Sequence, residues 1–382
     1  MSMERESREL LLAVARWPAN GDDKEFAEIV PRICDWDALI RVARKHRVLP
    51  RLFLRLANQS NAIPSTAIEC MRAEYDRNVF HSLTNAAELI AVLREFNEQK
   101  IQAMPFKGVV LAASIYKDLS TRTAGDLDVL IFHRDLARAT AALNQRGYEL
   151  KTEVLADGSP ATEDYYEYHF ERGSDGMVIE LRWRLELTQP KFRRNLGMDW
   201  VWPRRRTTNL AGAKVPDMEP AITLLVLCMH GSKHIWSRLI WICDVAHLLA
   251  ANPELDWKDV LQEAKRNGLW QALGLGVLLA RKVANAPVPE RVLQNFESDS
   301  SVRALAEHIS ENIFDAPGSI PRSRVPYNIR LLGFSDRIRF FFSPSLFRPN
   351  ELDRAAIALP RILDPLYYLV RPIRILRDRS SR

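Results

Sequence analysis

The residues best suited to chemistry in this 382-residue chain lie in three short runs. In DLDVLIF, residues 126 to 132, Asp126 and Asp128 are one residue apart at the head of an apolar stretch. Side chains alternate across a strand, so the two carboxylates share one face while Leu127 and Val129 take the other. Like charges this close repel and are costly to bury, and a divalent cation between them removes the cost. Hard oxygen ligands suit Mg²⁺ or Mn²⁺. The plainer alternative is two solvent-exposed acids at a strand start, paired with Arg122 or Arg134. In MVIELRWRLEL, 177 to 187, alternation puts Glu180, Arg182 and Arg184 on one face and Ile179, Leu181 and Trp183 on the other, so a third carboxylate lies mid-strand. Upstream, Lys107-Gly108 follows a short apolar strand and opens a helix, VVLAASIY, where a glycine lets backbone N–H groups approach a phosphate. A glycine turn, an acid pair on one strand and a lone acid on a later strand are the parts of a two-metal phosphoryl-transfer site. The pair bridges the ions, and the third acid holds the one that activates the attacking hydroxyl.

The elements that must position these groups follow from periodicity. Residues 1–98 read as a helical N-terminal region, with apolar residues at helical spacing in RELLLAVARW and WDALIRVARKHRVL and an uninterrupted run from Ser65 to about Gln99. Residues 99–212 read as an α/β core. IQAMPF, DLDVLIF, YELK, YYEYHFER and MVIELRWRLEL have strand length, the last two joined by the turn-like GSDG, and DLARATAALNQRG is a helix closed by glycine. Residues 213–382 read as a helical C-terminal domain, helical from Pro220, with a tail punctuated by Pro and Arg. The expected fold is α+β: a small mixed-sheet core with flanking helices, set between two helical regions.

The run from Phe106 to Ile131 carries KG, then Tyr116, then Arg122 four residues before the first aspartate, then DLDVLI. It resembles the uncharacterised nucleotidyltransferase family of the polymerase-β-like superfamily. MVIELRWRL is similar to that family's acidic-hydrophobic-x-Trp strand, HGSKHIWSRLIWICDVAHLL to its helix pair and LYYLVRPIRIL to its closing segment, so the resemblance covers roughly residues 80 to 376. It implies a polymerase-β-like core that, with Mg²⁺ or Mn²⁺ bound, moves an NMP from an NTP to a hydroxyl acceptor and releases pyrophosphate. It further implies that Asp126, Asp128 and Glu180 hold metal and carry catalysis, and that Lys107 and Gly108 form the phosphate loop. The acceptor, whether protein, RNA, sugar or small metabolite, is not selected. Two positions depart from the pattern: Val109 follows Lys107-Gly108 where a serine is usual, and Arg182 stands where histidine is common. These keep open a catalytically weak or inactive nucleotide- or RNA-binding module of the same fold, and the acids alone leave open a metal-dependent phosphohydrolase.

Arg122 either clamps phosphate or substrate, or neutralises the acid pair. In HGSKHIWSRLIWICD, His230 and His234 share a helical face, but zinc would lack a third ligand other than Asp244 and there is no HExxH glutamate. Either these are polar residues hydrogen-bonded at a domain junction, or Lys233, His234 and Arg238 are cationic donors to a triphosphate, one of them oriented by Asp244. Trp236 and Trp241 read as core.

A net charge of +6 makes an anionic partner plausible. The excess sits in the tail, where Arg322 to Arg382 contains thirteen arginines against five acids, either a solvated surface or a patch for an anionic partner. Cys34, Cys70, Cys228 and Cys243 are scattered among apolar residues and read as reduced and buried. The N-terminal run MSMERESRELLLAVARW lacks the layout of a signal peptide, and no stretch approaches the roughly 18 apolar residues of a membrane span. The expected location is the cytoplasm.

Overall fold

A computed structural model describes residues 5–16, 23–57, 62–123, 125–154, 166–185, 196–315 and 366–367. The Arg-rich tail and its LYYLVRPIRIL segment lie outside the described residues, apart from 366 and 367. The chain opens with helices α1 (Arg5–Arg16), α2 (Asp23–Ile29), α3 (Trp36–Lys45), α4 (Leu49–Leu56) and the long α5 (Ser65–Glu98). The core follows: β1 (Ala103–Pro105), α6 (Gly108–Leu111) running into a π-helical turn Ala112–Tyr116, β2 (Leu127–Ile131), α7 (Leu136–Gln145), β3 (Tyr148–Leu150), β4 (Glu167–Arg172) and β5 (Met177–Arg182). After α8 (Met198–Val201) come β6 (Arg205–Leu210) and β7 (Ala213–Met218). The described chain then continues as α9 (Pro220–Lys233), α10 (Leu239–Ala251), α11 (Trp257–Arg266), α12 (Trp270–Ala284), α13 (Glu290–Glu297) and α14 (Ser300–Asn312).

The five-stranded sheet has the order β1-β2-β5-β4-β3. Its β2–β5 pair is parallel and the other pairs are antiparallel. Burial alternates along β5, with Met177, Ile179 and Leu181 in the core and Glu180 on the opposite face, as the period of two requires. Their core also takes Val129 and Ile131 of β2, Leu89 and Phe96 of α5 and Leu143 of α7. β5 ends at Arg182, so Trp183 and Arg184 fall beyond the strand expected to reach 187.

The helical regions at the two ends of the sequence share one apolar core, in which Leu10, Leu39 and Leu52 pack with Leu224, Trp236, Leu248 and Leu279. Fully buried Arg51 fastens them, donating from Nη2 to the Val14 carbonyl at 3.1 Å, with Nη1 3.1 Å from His247 Nε2. The boundary read at 212/213 falls in the β6–β7 turn, a hairpin that the periodicity reading did not anticipate. Cys34 and Cys70 are exposed, on the turn before α3 and the outer side of α5, whereas Cys228 and Cys243 are buried as expected. Among the described residues no helix is long and apolar enough to cross a membrane.

Candidate active site

The parallel register of β2 and β5 sets Asp128 directly beside Glu180. Asp126 stands exposed one residue before β2 begins, so the pair is split between strand and loop. That loop is held from below by α5, where Asn78 Nδ2 donates to the Ser120 carbonyl at 2.9 Å and Asn85 Nδ2 to the Gly125 carbonyl at 2.6 Å. Opposite, Lys107 and Gly108 have φ of 60° and 46°, two successive left-handed residues that turn β1 sharply into α6. A Cβ at Gly108 would lie 3.6 Å from the Asp126 carbonyl oxygen, so this turn closes against the acid loop.

Around these residues lies a cavity of about 320 Å³. All nine residues singled out from the sequence line it: Asp126, Asp128, Glu180, Lys107, Gly108, Arg122, Lys233, His234 and Arg238. Arg47, Glu167, Arg182, His230 and Trp241 complete its charged and aromatic lining. A cavity of about 730 Å³ between α5, β1 and β7 is larger but has no carboxylate in its lining, so chemistry and not size marks the smaller one.

Within the cavity Asp128, Glu167 and Glu180 already have cations, and Asp126 has none among the described residues. Lys107 Nζ is 3.5 Å from Asp128 Oδ1, and Arg182 Nε is 3.3 Å from the same oxygen. Arg182 also contacts Glu180 closely and meets its cross-strand partner Glu167 at 2.8 Å. Burial pushes the Asp128 carboxyl up, but Lys107 and Arg182 outweigh it and hold that carboxyl below its usual range. Burial and then the Asp128 charge push Glu180 the other way, upward, with Arg182 opposing. The proton affinities of two neighbouring acids are thus driven in opposite directions, Asp128 downward and Glu180 upward. Burial lowers Lys107 despite the Asp128 charge. Among the described residues neither Arg122 nor Arg134 forms an ion pair with Asp128, which is paired with Lys107 and Arg182 instead.

Arg122 is committed elsewhere. Its Nε and Nη2 donate to the two oxygens of buried Asp244 at 2.9 and 3.0 Å, and its Nη1 to the Gly108 carbonyl at 3.3 Å. Tyr116 Oη donates to Asp244 Oδ1 at 2.7 Å, with its ring stacked on His247 at 4.5 Å. Beside the two open readings of Arg122, phosphate clamp or counterion to the acid pair, the geometry gives a third: a brace from α10 to the Lys107-Gly108 turn. Asp244 therefore orients Arg122 and not Lys233, His234 or Arg238.

The remaining wall is cationic. Arg47 and Arg238 form no ion pair among the described residues, and burial followed by the charges of Arg238 and Arg122 depresses Arg47. Lys233 Nζ donates to Tyr166 Oη at 3.2 Å and is lowered by burial and then by Arg182. His230 and His234 pack edge to face at 4.6 Å and both contact Trp241, while burial pushes His230 well below its usual value. Trp236 is fully buried as expected, whereas Trp241, though mostly buried, reaches the cavity. Sequence reasoning passed over Arg47, Tyr166 and Glu167. The basic cluster RKHR at 44 to 47 and the acid-aromatic alternation of YYEYHFER were their signals.

The family model described as "uncharacterised nucleotidyltransferase" matches residues 34–285, well over half of the chain. The chain belongs to that nucleotidyltransferase family. The match takes in both acid strands, the Lys107-Gly108 turn and the α9–α10 pair, so every lining residue of the 320 Å³ cavity lies inside it. Among solved structures, the nucleotidyltransferase family chain is similar to an antigenic nucleotidyltransferase-like protein from Paracoccidioides brasiliensis. The identity is 16%, covering 55% of this chain and 96% of that one, with a TM-score of 0.33, too low to carry any inference. No curated protein matches the sequence.

Whether a magnesium ion suits this site follows from the donors. Among the described residues no three His, Cys, Asp or Glu side chains converge as a metal cluster, and Asp128 and Glu180 are taken up by Lys107 and Arg182. That disfavours an ion resident in the free protein. Magnesium commonly sits on one or two carboxylates plus substrate phosphates, however, and Asp126 with Asp128 suits an ion that arrives with a triphosphate.

Proposed function

We propose that this chain transfers a nucleoside monophosphate from an NTP to a hydroxyl acceptor, releasing pyrophosphate. The observation that carries the reading is the pairing of opposites in one cavity: Asp128 in register with Glu180 on parallel strands, facing a wall that holds Arg47, Lys233 and Arg238. A triphosphate needs that wall and a transfer reaction needs those acids.

Asp126 and Asp128 would hold Mg²⁺, which when bound neutralises phosphate charge and lowers the pKa of an attacking hydroxyl. Lys233 and Arg238 bind the β- and γ-phosphates, and the Lys107-Gly108 turn bounds the phosphate end of the cavity. Arg122 and Asp244 keep that turn in place. Glu180, with its raised proton affinity, accepts the proton of the acceptor hydroxyl as the oxygen attacks the α-phosphorus. Lys107 and Arg182 leave Asp128 for the incoming phosphates, exchanging one anionic partner for another.

One observation favours a second reading. Internal cations on Asp128 and Glu180 are also what a nucleotide-binding module without turnover would carry. Two parallel incubations separate the readings, with NTP labelled at the α- or the γ-phosphorus, Mg²⁺, and fractionated cell lysate as acceptor source. Transfer leaves α-label on a larger species and γ-label in pyrophosphate. Labels that stay in intact, protein-bound NTP support the module, and α-label found only in free nucleotide supports hydrolysis.

A further inference from the structure

A second cavity, of about 280 Å³, adjoins the first and shares Arg47 and Thr123 with it. Its other polar lining is Arg44, Glu74, Arg77, Asn78 and His81, so three guanidinium groups and an imidazole face one carboxylate. Glu74 is spoken for twice, by a close contact with Arg44 and by Arg77 at 3.6 Å. Arg47 has no ion-pair partner among the described residues. Asn78 is only 7% exposed, yet its Oδ1 is buried without a donor while Nδ2 is spent on the Ser120 carbonyl. A cavity with surplus positive charge matches a ligand bearing an anion.

Its position says what that ligand does. The Arg47 guanidinium lies 3.9 Å from where a Cβ on Gly125 would stand, and Gly125 immediately precedes Asp126. A molecule seated here presents a hydroxyl across Arg47 and Thr123 toward Asp126, while the NTP occupies the first cavity.

We infer that this second cavity is the acceptor subsite and that the acceptor carries a phosphate group close to its reactive hydroxyl. The word acceptor rests on the nucleotidyltransferase reading; the cavity's affinity for phosphate does not. On transfer the hydroxyl oxygen bonds to the α-phosphorus, the α–β bridging P–O bond breaks, the hydroxyl proton passes to Glu180, and pyrophosphate leaves. The phosphate in the second cavity is a handle and takes no part in bond making.

The test is calorimetric titration of the full chain with glycerol 3-phosphate, ribose 5-phosphate and a five-nucleotide single-stranded RNA, with and without saturating Mg²⁺ and α,β-methylene-ATP. Arg77→Glu is the test variant, because Arg77 lines the second cavity, is exposed and does not line the first. At least one probe binds wild type alongside the analogue and binds Arg77→Glu about tenfold more weakly, while the analogue binds both proteins equally. Small phosphates alone identify a metabolite acceptor, and RNA alone identifies a nucleic-acid end. The inference is overturned when no phosphate probe binds, when Arg77→Glu binds as tightly as wild type, or when the analogue displaces the probe. A probe that binds and responds to Arg77→Glu in a chain that ignores the α,β-methylene analogues of ATP, GTP, CTP and UTP alike preserves the phosphate site and removes the nucleotidyltransferase reading.

Discussion

Replacing Asp244 with leucine removes the common acceptor of two buried donors. Asp244 is 1% exposed at its side chain and Arg122 is 9% exposed, so neither regains water when its partner goes. Loss of the carboxylate strands the Arg122 guanidinium, at a cost of about 3–5 kcal/mol, and the Tyr116 hydroxyl, at a further 1–3 kcal/mol or so. A typical domain is stable by about 5–15 kcal/mol, so Asp244→Leu forfeits much of the total. Arg122→Met costs less, about 3 kcal/mol, because Tyr116 still donates to Asp244 and the carboxyl can take up a proton. In the double variant no charge is stranded, and its loss is smaller than that of Asp244→Leu alone. Urea unfolding followed by the fluorescence of the nine tryptophans measures all four proteins. An Asp244→Leu cost below about 1 kcal/mol, or single losses that simply add in the double variant, refutes the buried brace.

Three further outcomes follow from the same contacts. Arg182→Gln removes the cation that opposes protonation of Glu180, so the acidic limb of the transfer pH–rate profile moves to higher pH; an unmoved limb dissociates Glu180 from proton transfer. His46 is held at about 4 by burial, with Lys45 and Arg238 adding to it, while its Nδ1 accepts from the Leu239 N–H at 3.1 Å. The unfolded chain binds the extra proton first, so this contribution to stability is complete above about pH 6.5 and is lost as pH falls toward 4, by roughly 3 kcal/mol. Denaturation midpoints for wild type and His46→Asn across that window check it, the variant giving the flatter slope. Gly231→Ala places a methyl 2.6 Å from the Trp236 ring and lowers stability by about 1–3 kcal/mol in thermal unfolding.

The acid strands were legible because both obey one simple rule. Alternation alone places Glu180 opposite Ile179 and Leu181, and the family resemblance links that strand to DLD. What alternation cannot supply is which strands are neighbours, and the register of Asp128 on Glu180 is a property of the assembled sheet. The Arg122 brace was hidden for the same reason. Its partner Asp244 is 122 residues away, and no local pattern pairs them. Arg47 lies in a segment that reads as plain amphipathic helix, and only the left-handed turn after α3, with φ of 56°, carries it to the cavity wall. The β6–β7 hairpin escaped because RRTTNLAGAKVPDM is too polar to show an apolar period.

The most direct test of the central claim is the rate of α-label transfer, with Mg²⁺ and saturating NTP, by wild type and by the Asp126→Asn/Asp128→Asn double variant. The account predicts transfer by wild type and its loss in the variant, with circular dichroism unchanged. A folded double variant that transfers label as fast as wild type contradicts it.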